Sequence, residues 1–421
     1  YRYYSSSAGQ IRTKKAVFIK ENLWNKHSKT LMCGLTIDKI NDLGGINVNK
    51  FLAYLALTNS ATELWKNFDI DKCIVVNDFE TSINGEVDYI DDVTYEIKRQ
   101  NMDVPVEHTD GCGMVLSSIS KKNFMVRLPW VKGLLSSFDY LKFIKEHNCS
   151  PVVRDIYGRE WNVIKDDIQI IFTKSQFKMH RFYQSWDEYK SFFKQYNCQA
   201  GICNMEKDYI DDSCVSYQML QTLTDYTEDE IKAITEESRI KIDNIASDKE
   251  VMLDVFGVKK EKKYKTHLQQ ALEIYPEILQ DIYCKRTLND IKRSMVKKYR
   301  SGKIDIESKY TFILPDLYAF CEYLFLDIKI PKGLLANGEV SCRLFDSGVK
   351  LDCLRSPHLM AEHAVRKNIV HKDMKKWFDT DGLYTSTHDL ISKVLMFDVD
   401  GDTSLVVADS TFVKMAERNM D

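Results

Sequence analysis

Residues 394–407 read VLMFDVDGDTSLVV, in which Asp398, Asp400 and Asp402 fall within five positions, with one glycine among them and apolar runs on both sides. Carboxylates this close repel one another, so such a cluster calls for a cation. In D-x-D-G-D the glycine permits a turn that a residue with a Cβ makes only at higher cost. The turn lets three carboxylates converge on one point, and hard oxygen ligands there suit Mg2+, with Mn2+ as a substitute. One ion activates a hydroxyl nucleophile, and a second, arriving with a triphosphate, stabilises the leaving pyrophosphate. The expected chemistry is nucleotidyl transfer, with Asp398, Asp400 and Asp402 as catalytic residues and as metal ligands.

Other readings of the cluster compete. An EF-hand loop would place glycine and glutamate where the chain has Thr403 and Asp409, between helices rather than strand-like flanks, and is excluded. A haloacid dehalogenase-type phosphatase shares the FDVDG pattern after a buried strand, with Asp398 as nucleophile, but its pattern has threonine or valine at Asp402. A non-catalytic nucleic-acid-binding module is suggested by the lysine–tyrosine clusters KKEKKYK (259–265) and KKYRSGK (297–303). The plain reading of each cluster is a solvated helix face or loop.

The 421 residues suffice for two or three domains, and 44% hydrophobic with 29% charged residues is a globular composition. A net charge of −3 excludes a polycation, so any nucleic-acid contact needs local positive charge. No apolar run approaches the ~20 residues of a membrane span, and no basic-then-apolar leader opens the chain. Eleven cysteines, an odd number with no repeated C-x-x-C, indicate reduced thiols and a cytoplasmic setting without membrane contact. Cys198, Cys203 and Cys214 match no standard zinc spacing. The opening YRYYSSSAGQ lacks an initiator methionine, which leads one to expect a piece of a longer polypeptide.

Three stretches must position the chemistry. Residues 1–200 carry β-like runs such as KCIVVND (72–78) and DIQIIFT (167–173), separated by glycine-bearing stretches such as DLGGIN and SINGEVD. Residues 215–300 turn helical, opening with a capping box from Thr227 to Glu230. After residue 305 β-like character returns in YTFILPDLYAF, GEVSCRLF, KVLMFDVDGD and TSLVVAD.

With these segments in order, FDVDGD resembles the signature of the two-barrel RNA polymerases: multisubunit enzymes, eukaryotic-type RNA-dependent RNA polymerases, and single-chain bacterial and phage relatives. KLDCLRSPHLMAEHAVR (350–366) resembles their R-x-P-x-x-H region, which implies that Arg355 faces the nucleotide sugar. GLLANGEVSCRLF resembles the turn and strand that start the aspartate-bearing barrel. YYSSSAGQIRTKKAVFI, HTDGCGMVLSSIS and VRLPWVKGLL resemble N-terminal family segments, the last implying Lys132 as a substrate-binding lysine. TKSQFKMHRFY implies a second at Lys178, with Lys174 behind it. Two departures, RLPWVKG for RxGGxKG and SKVLMF before the aspartates, point toward the bacterial or phage branch.

The resemblance implies an α+β fold of two double-psi β-barrels joined by a helical connector: a lysine barrel over 1–205, the connector over 206–305 and the aspartate barrel over 306–421. It implies a polymerase using two Mg2+ ions, ribonucleoside triphosphates, a nucleic-acid template and nascent RNA. RNA-directed synthesis is the first reading and a DNA-directed phage-type enzyme the alternative. His358 is expected to be structural, with support of the Arg355 loop as the alternative, while Asp110, Gly111 and Gly113 shape a turn. His363, Arg366 and His388 are expected to be structural.

Overall fold

The computed structural model describes residues 1–6, 15–60, 62–260, 262–358 and 362–420. The expected SxSQxR resemblance lies largely at 7–14, outside the described residues.

The N-terminal half is built on runs buried on both faces. Cys73–Val76 (CIVV) and Ile170–Thr173 (IIFT) are fully buried and pair in parallel, and Ile170–Thr173 also pairs antiparallel with Cys112–Val115. Continuous β-branched character suits strands covered on both sides. The full sheet has seven strands, in the order Glu63–Leu64, Gly201–Met205, Phe124–Leu128, Val131–Ser137, Cys112–Val115, Ile170–Thr173, Cys73–Val76. Phe124–Leu128 and Val131–Ser137 form a hairpin closed by Pro129 and Trp130. Trp130 sits at φ +64, a costly conformation for a bulky residue. Burial of its ring and an indole N–H donated to Met32 O at 2.8 Å hold it there. The proline–tryptophan pair that departs from the family pattern is thus a functioning turn.

The C-terminal half contains a closed six-stranded barrel. Going round it, the strands are Ser308–Pro315, Leu383–Thr385, Glu339–Ser341, Ala364–Asn368, Lys350–Arg355 and Thr403–Val407. Two of its pairings are parallel, Ser308–Pro315 with Leu383–Thr385 and Glu339–Ser341 with Ala364–Asn368. Buried Asn368 braces the wall. Its Oδ1 accepts from Cys342 N at 2.9 Å, and its Nδ2 donates to the carbonyls of Cys342, Phe345 and Asp346. Asn368→Ala leaves those buried groups unpartnered and is expected to destabilise the barrel by about 3 kcal/mol. A lowered midpoint in urea unfolding checks this.

Between these units lies the helical connector. Glu228–Asn244 begins with the expected capping box, Thr227 Oγ1 accepting from Glu230 N and Glu230 Oε2 from Thr227 N. Ile282–Arg300 packs on this helix. The last helix, Ser410–Arg418, lies over Lys350–Arg355 and Ala364–Asn368. One apolar core runs through both halves, from Tyr4 to Val406, and a smaller cluster sits between connector, last helix and barrel. Among the described residues no helix is long and apolar enough to cross a membrane.

The mixed α+β class and a closed barrel on the aspartate side agree with expectation, whereas the lysine side is a seven-stranded sheet. Two local readings change. SINGEVD lies inside the strand Glu80–Ile90, which pairs with Ile97–Glu107 in a long, largely exposed hairpin. Its alternating burial, and not its glycine, governs. Gly85 is small because Leu390 packs against it: a Cβ there would lie 2.4 Å from Leu390 Cδ1. KVLMF is not a strand: Ile391–Leu395 is a short helix stopped by Met396 at φ +50. The phosphatase reading loses the buried strand it needs before Asp398.

Candidate active site

The aspartates occupy the loop between the Ile391–Leu395 helix and the Thr403–Val407 strand. Gly401, at φ +126, makes the turn, and a Cβ there would lie 2.6 Å from Met125 Cε. Asp402 Oδ2 accepts from Asp398 N at 3.3 Å, drawing the loop into a bend. Arg355 ends a barrel strand and pairs in register with Ser404, just past the loop. Its Nε donates to Asp402 Oδ2 at 2.8 Å and its Nη1 to Met396 O at 2.6 Å. From the opposite half, Lys132 reaches Asp400 Oδ2 at 2.5 Å, across 268 residues of sequence.

That approach depends on glycines. Gly111 has φ +81, and a Cβ on it would lie 2.2 Å from Asp400 Cβ. Gly133, next to Lys132, leaves room for Gly111 O, which a Cβ would meet at 2.2 Å. Gly111 is fixed from behind: its N–H donates to Ser175 Oγ at 2.7 Å, and Ser175 bonds Asp78 through both N–H and hydroxyl. Buried Gln176 accepts from Thr173 N and donates to Leu134 O, tying Ile170–Thr173 to the lysine strand.

Lys178 N donates to Trp130 O at 2.8 Å, which places this residue beside the lysine hairpin. Burial, and then the neighbouring Lys132, pull its ammonium below the usual lysine range, against Asp110 and Asp400. Asp110 is pushed up to about 6 by burial and then by Asp398, with Lys178 opposing. Lys178, Lys132, Asp110, Asp398 and Asp400 therefore share one electrostatic neighbourhood. A cleft of about 650 Å³ opens beside it, lined by Lys174, Lys178, His180, Asp78 and Glu107, with Tyr323 from the C-terminal half.

Among the described residues no three acidic, histidine or cysteine side chains are grouped to hold a metal ion. Like charges repel, and two of the three loop carboxylates settle on cations: Asp400 on Lys132 and Asp402 on Arg355. The carboxylates still feel each other. Asp398 is raised from its ordinary value by burial and then by Asp400 and Asp402. An all-oxygen donor set under like-charge repulsion fits a hard divalent cation once Lys132 and Arg355 let go.

No family model matches the chain. The DNA-directed RNA polymerase YonO of Bacillus phage SPbeta is 53% identical over all 421 residues. The RNA dependent RNA polymerase QDE-1 from Thielavia terrestris superposes over 87% of this chain, with a TM-score of 0.55 and 13% identity. Both similarities support the resemblance to the two-barrel RNA polymerases. It spans 50% of the phage relative's length and 38% of the fungal chain.

The remaining candidates are mostly structural. His363 is buried between Asp352 Oδ2, at 2.7 Å, and Thr222 Oγ1, at 2.9 Å; His358 meets the same hydroxyl at 3.2 Å. Together they tie the Arg355 loop to the connector. Arg366 forms a buried two-pronged pair with Asp389, and His388 contacts Lys332 O. Lys298 and Tyr299 of one basic cluster are engaged with Asp305, and Lys265 of the other with Glu273. Cys198 is buried against Thr30 O, and its grouping with Cys203 and Cys214 forms no metal site among the described residues. The sequence reading missed Asp78, Ser175 and Gln176, and gave Asp110 only a turn. The signal was present in TKSQ beside the candidate lysines, but only the folded chain shows what these side chains brace.

Proposed function

We propose that this chain is the catalytic region of a DNA-directed RNA polymerase. The observation that carries the reading is the carboxylate loop Asp398–Asp402 faced by Lys132 from the opposite half and flanked by Arg355. Phosphoryl transfer needs positioning and charge neutralisation more than covalent chemistry. Asp398, Asp400 and Asp402 are the residues to hold Mg2+, which when bound activates the 3′-hydroxyl and relieves charge on the pyrophosphate. Lys132, freed from Asp400, meets the negative charge of the triphosphate. Lys178 gains from the same anion, because its buried ammonium has lost hydration. Arg355 presents a rigid fork toward the ribose hydroxyls while its strand holds it at the loop.

The template reading turns from RNA to DNA. The RNA-templated similarity rests on a likeness of fold, whereas the phage relative called DNA-directed is similar in sequence along the whole chain. A polymerase of this kind works where its template is, so the expected setting is the cytoplasm of an infected cell. The full-length polypeptide, given matched DNA and RNA templates with Mg2+ and ribonucleoside triphosphates, is expected to copy the DNA. Sequenced product from the RNA template alone would return the RNA-directed reading, and no product from either would remove the polymerase reading.

A further inference from the structure

A second cation faces the same side of the lysine hairpin and is engaged by nothing acidic. Arg127 pairs in register with Lys132 on one side and with Gly201 on the other. Residues directly opposite in an antiparallel pair project to the same face, so Arg127 shares the face of Lys132. Met125, two residues back on the strand and on that face, lies against Gly401 of the aspartate loop. Arg127 lies one strand repeat, roughly 7 Å, along from Met125.

Its guanidinium is under-used. Nη1 donates to Val126 O at 2.9 Å, while Nε is buried with no partner. Among the described residues it joins no ion pair. An unpartnered buried donor on a cation is costly, and the group that relieves it is an anion. Beside it lies a cavity of about 370 Å³ whose described lining contains no carboxylate. Thr30, Thr58, Thr62, Asn197 and Gln199 supply its polar walls, and leucines with other apolar residues the rest. Gly201, opposite Arg127, lets Thr62 pack close on the strand: a Cβ there would lie 2.8 Å from Thr62 Cβ. One fixed cation, neutral hydrogen-bonding groups and apolar walls match a phosphate joined to a sugar and base.

We infer that this cavity is a phosphate-binding pocket on the lysine side of the molecule, in which Arg127 holds the phosphate of one nucleotide unit. The inference rests on the polymerase reading. The nucleotide is either a unit of the nucleic-acid strand or a free mononucleotide, and the two sources separate experimentally.

The test uses the full-length polypeptide, with binding to a DNA–RNA hybrid scaffold followed by fluorescence anisotropy from 50 to 200 mM salt, and a parallel titration with AMP. Arg127→Gln is expected to weaken scaffold binding about tenfold and to flatten the salt dependence by roughly 0.7–0.9 in slope, the share of one phosphate. Arg127→Lys restores the slope. Gln199→Glu, an exposed change that sets a carboxylate on the cavity wall, weakens binding with Arg127 intact. Loss of AMP binding with an unchanged scaffold slope supports the pocket with a free nucleotide as occupant. Unchanged scaffold and AMP binding in both Arg127→Gln and Gln199→Glu overturns it. RNA synthesis by the unaltered protein, measured on the same preparation, judges the polymerase reading separately.

Discussion

Asp400→Asn in the full-length polypeptide is expected to lower RNA synthesis by about a thousandfold or more while leaving the fold intact. The substitution keeps the side chain's shape and removes its charge. It takes away one of the three oxygen-donor carboxylates of the loop and the partner that holds Lys132 at 2.5 Å. Losses of this size correspond to roughly 4 kcal/mol of transition-state stabilisation. The buried core lies elsewhere, and Asp400 itself is partly exposed, so thermal unfolding should shift little. The measurement is single-nucleotide extension on the preferred template, with scaffold binding as a companion. Activity within tenfold of the unaltered protein would end the catalytic reading. Lost extension with retained scaffold binding would also separate a polymerase from a passive nucleic-acid-binding module, which has no use for this carboxylate.

The second large effect is expected at a residue without chemistry of its own. Gly111→Val should reduce extension about 100-fold, because an added Cβ would overlap Asp400 Cβ at 2.2 Å and the aspartate loop would have to withdraw. A displacement near 1 Å at reacting groups is enough for a loss of that order. The residue also sits at φ +81, where a β-branched side chain is strained by about 1–2 kcal/mol. Gly348→Ala provides the comparison: its φ is +90, yet nothing lies within 4 Å of the added Cβ. That variant should lose about 1 kcal/mol of stability and keep full activity. Equal loss of extension in both variants would show that general strain, and not the approach of two backbones, governs Gly111.

The two results address different parts of one arrangement. Asp400 tests whether the carboxylates do chemistry; Gly111 tests whether the N-terminal sheet sets where they stand. Ser175 and Asp78 hold Gly111 from behind, so the lysine side positions the loop through backbone as well as through the Lys132 side chain. This explains why the DGCG segment carries two glycines. Gly113 faces Ile171 O and Gln176, where a Cβ would come within 2.4 Å and 2.6 Å, so it too marks a close backbone approach.

Much of this was legible in the chain because it is local. The D-x-D-G-D turn needs a glycine at 401 whatever surrounds it, since φ +126 is open to little else. The Thr227–Glu230 box starts its helix with its own side chains, and the β-branched runs at 73–76 and 170–173 are strands by composition. Residue types near one another in sequence fix such features through short-range sterics and hydrogen bonds. Where the reading failed, a partner distant in sequence decided: Leu390 packs over Gly85 in the long hairpin.

The sequence by itself determined that three carboxylates share a tight turn, and that lysines and an arginine stand in segments ordered as in a polymerase. Only the tertiary structure decided which cation meets which aspartate, that Asp110 joins them, and that Arg127 keeps a buried Nε without a partner. Charges act through space and not along the chain. Their pairing is set by how a seven-stranded sheet and a closed barrel pack on one core, which local pattern does not encode.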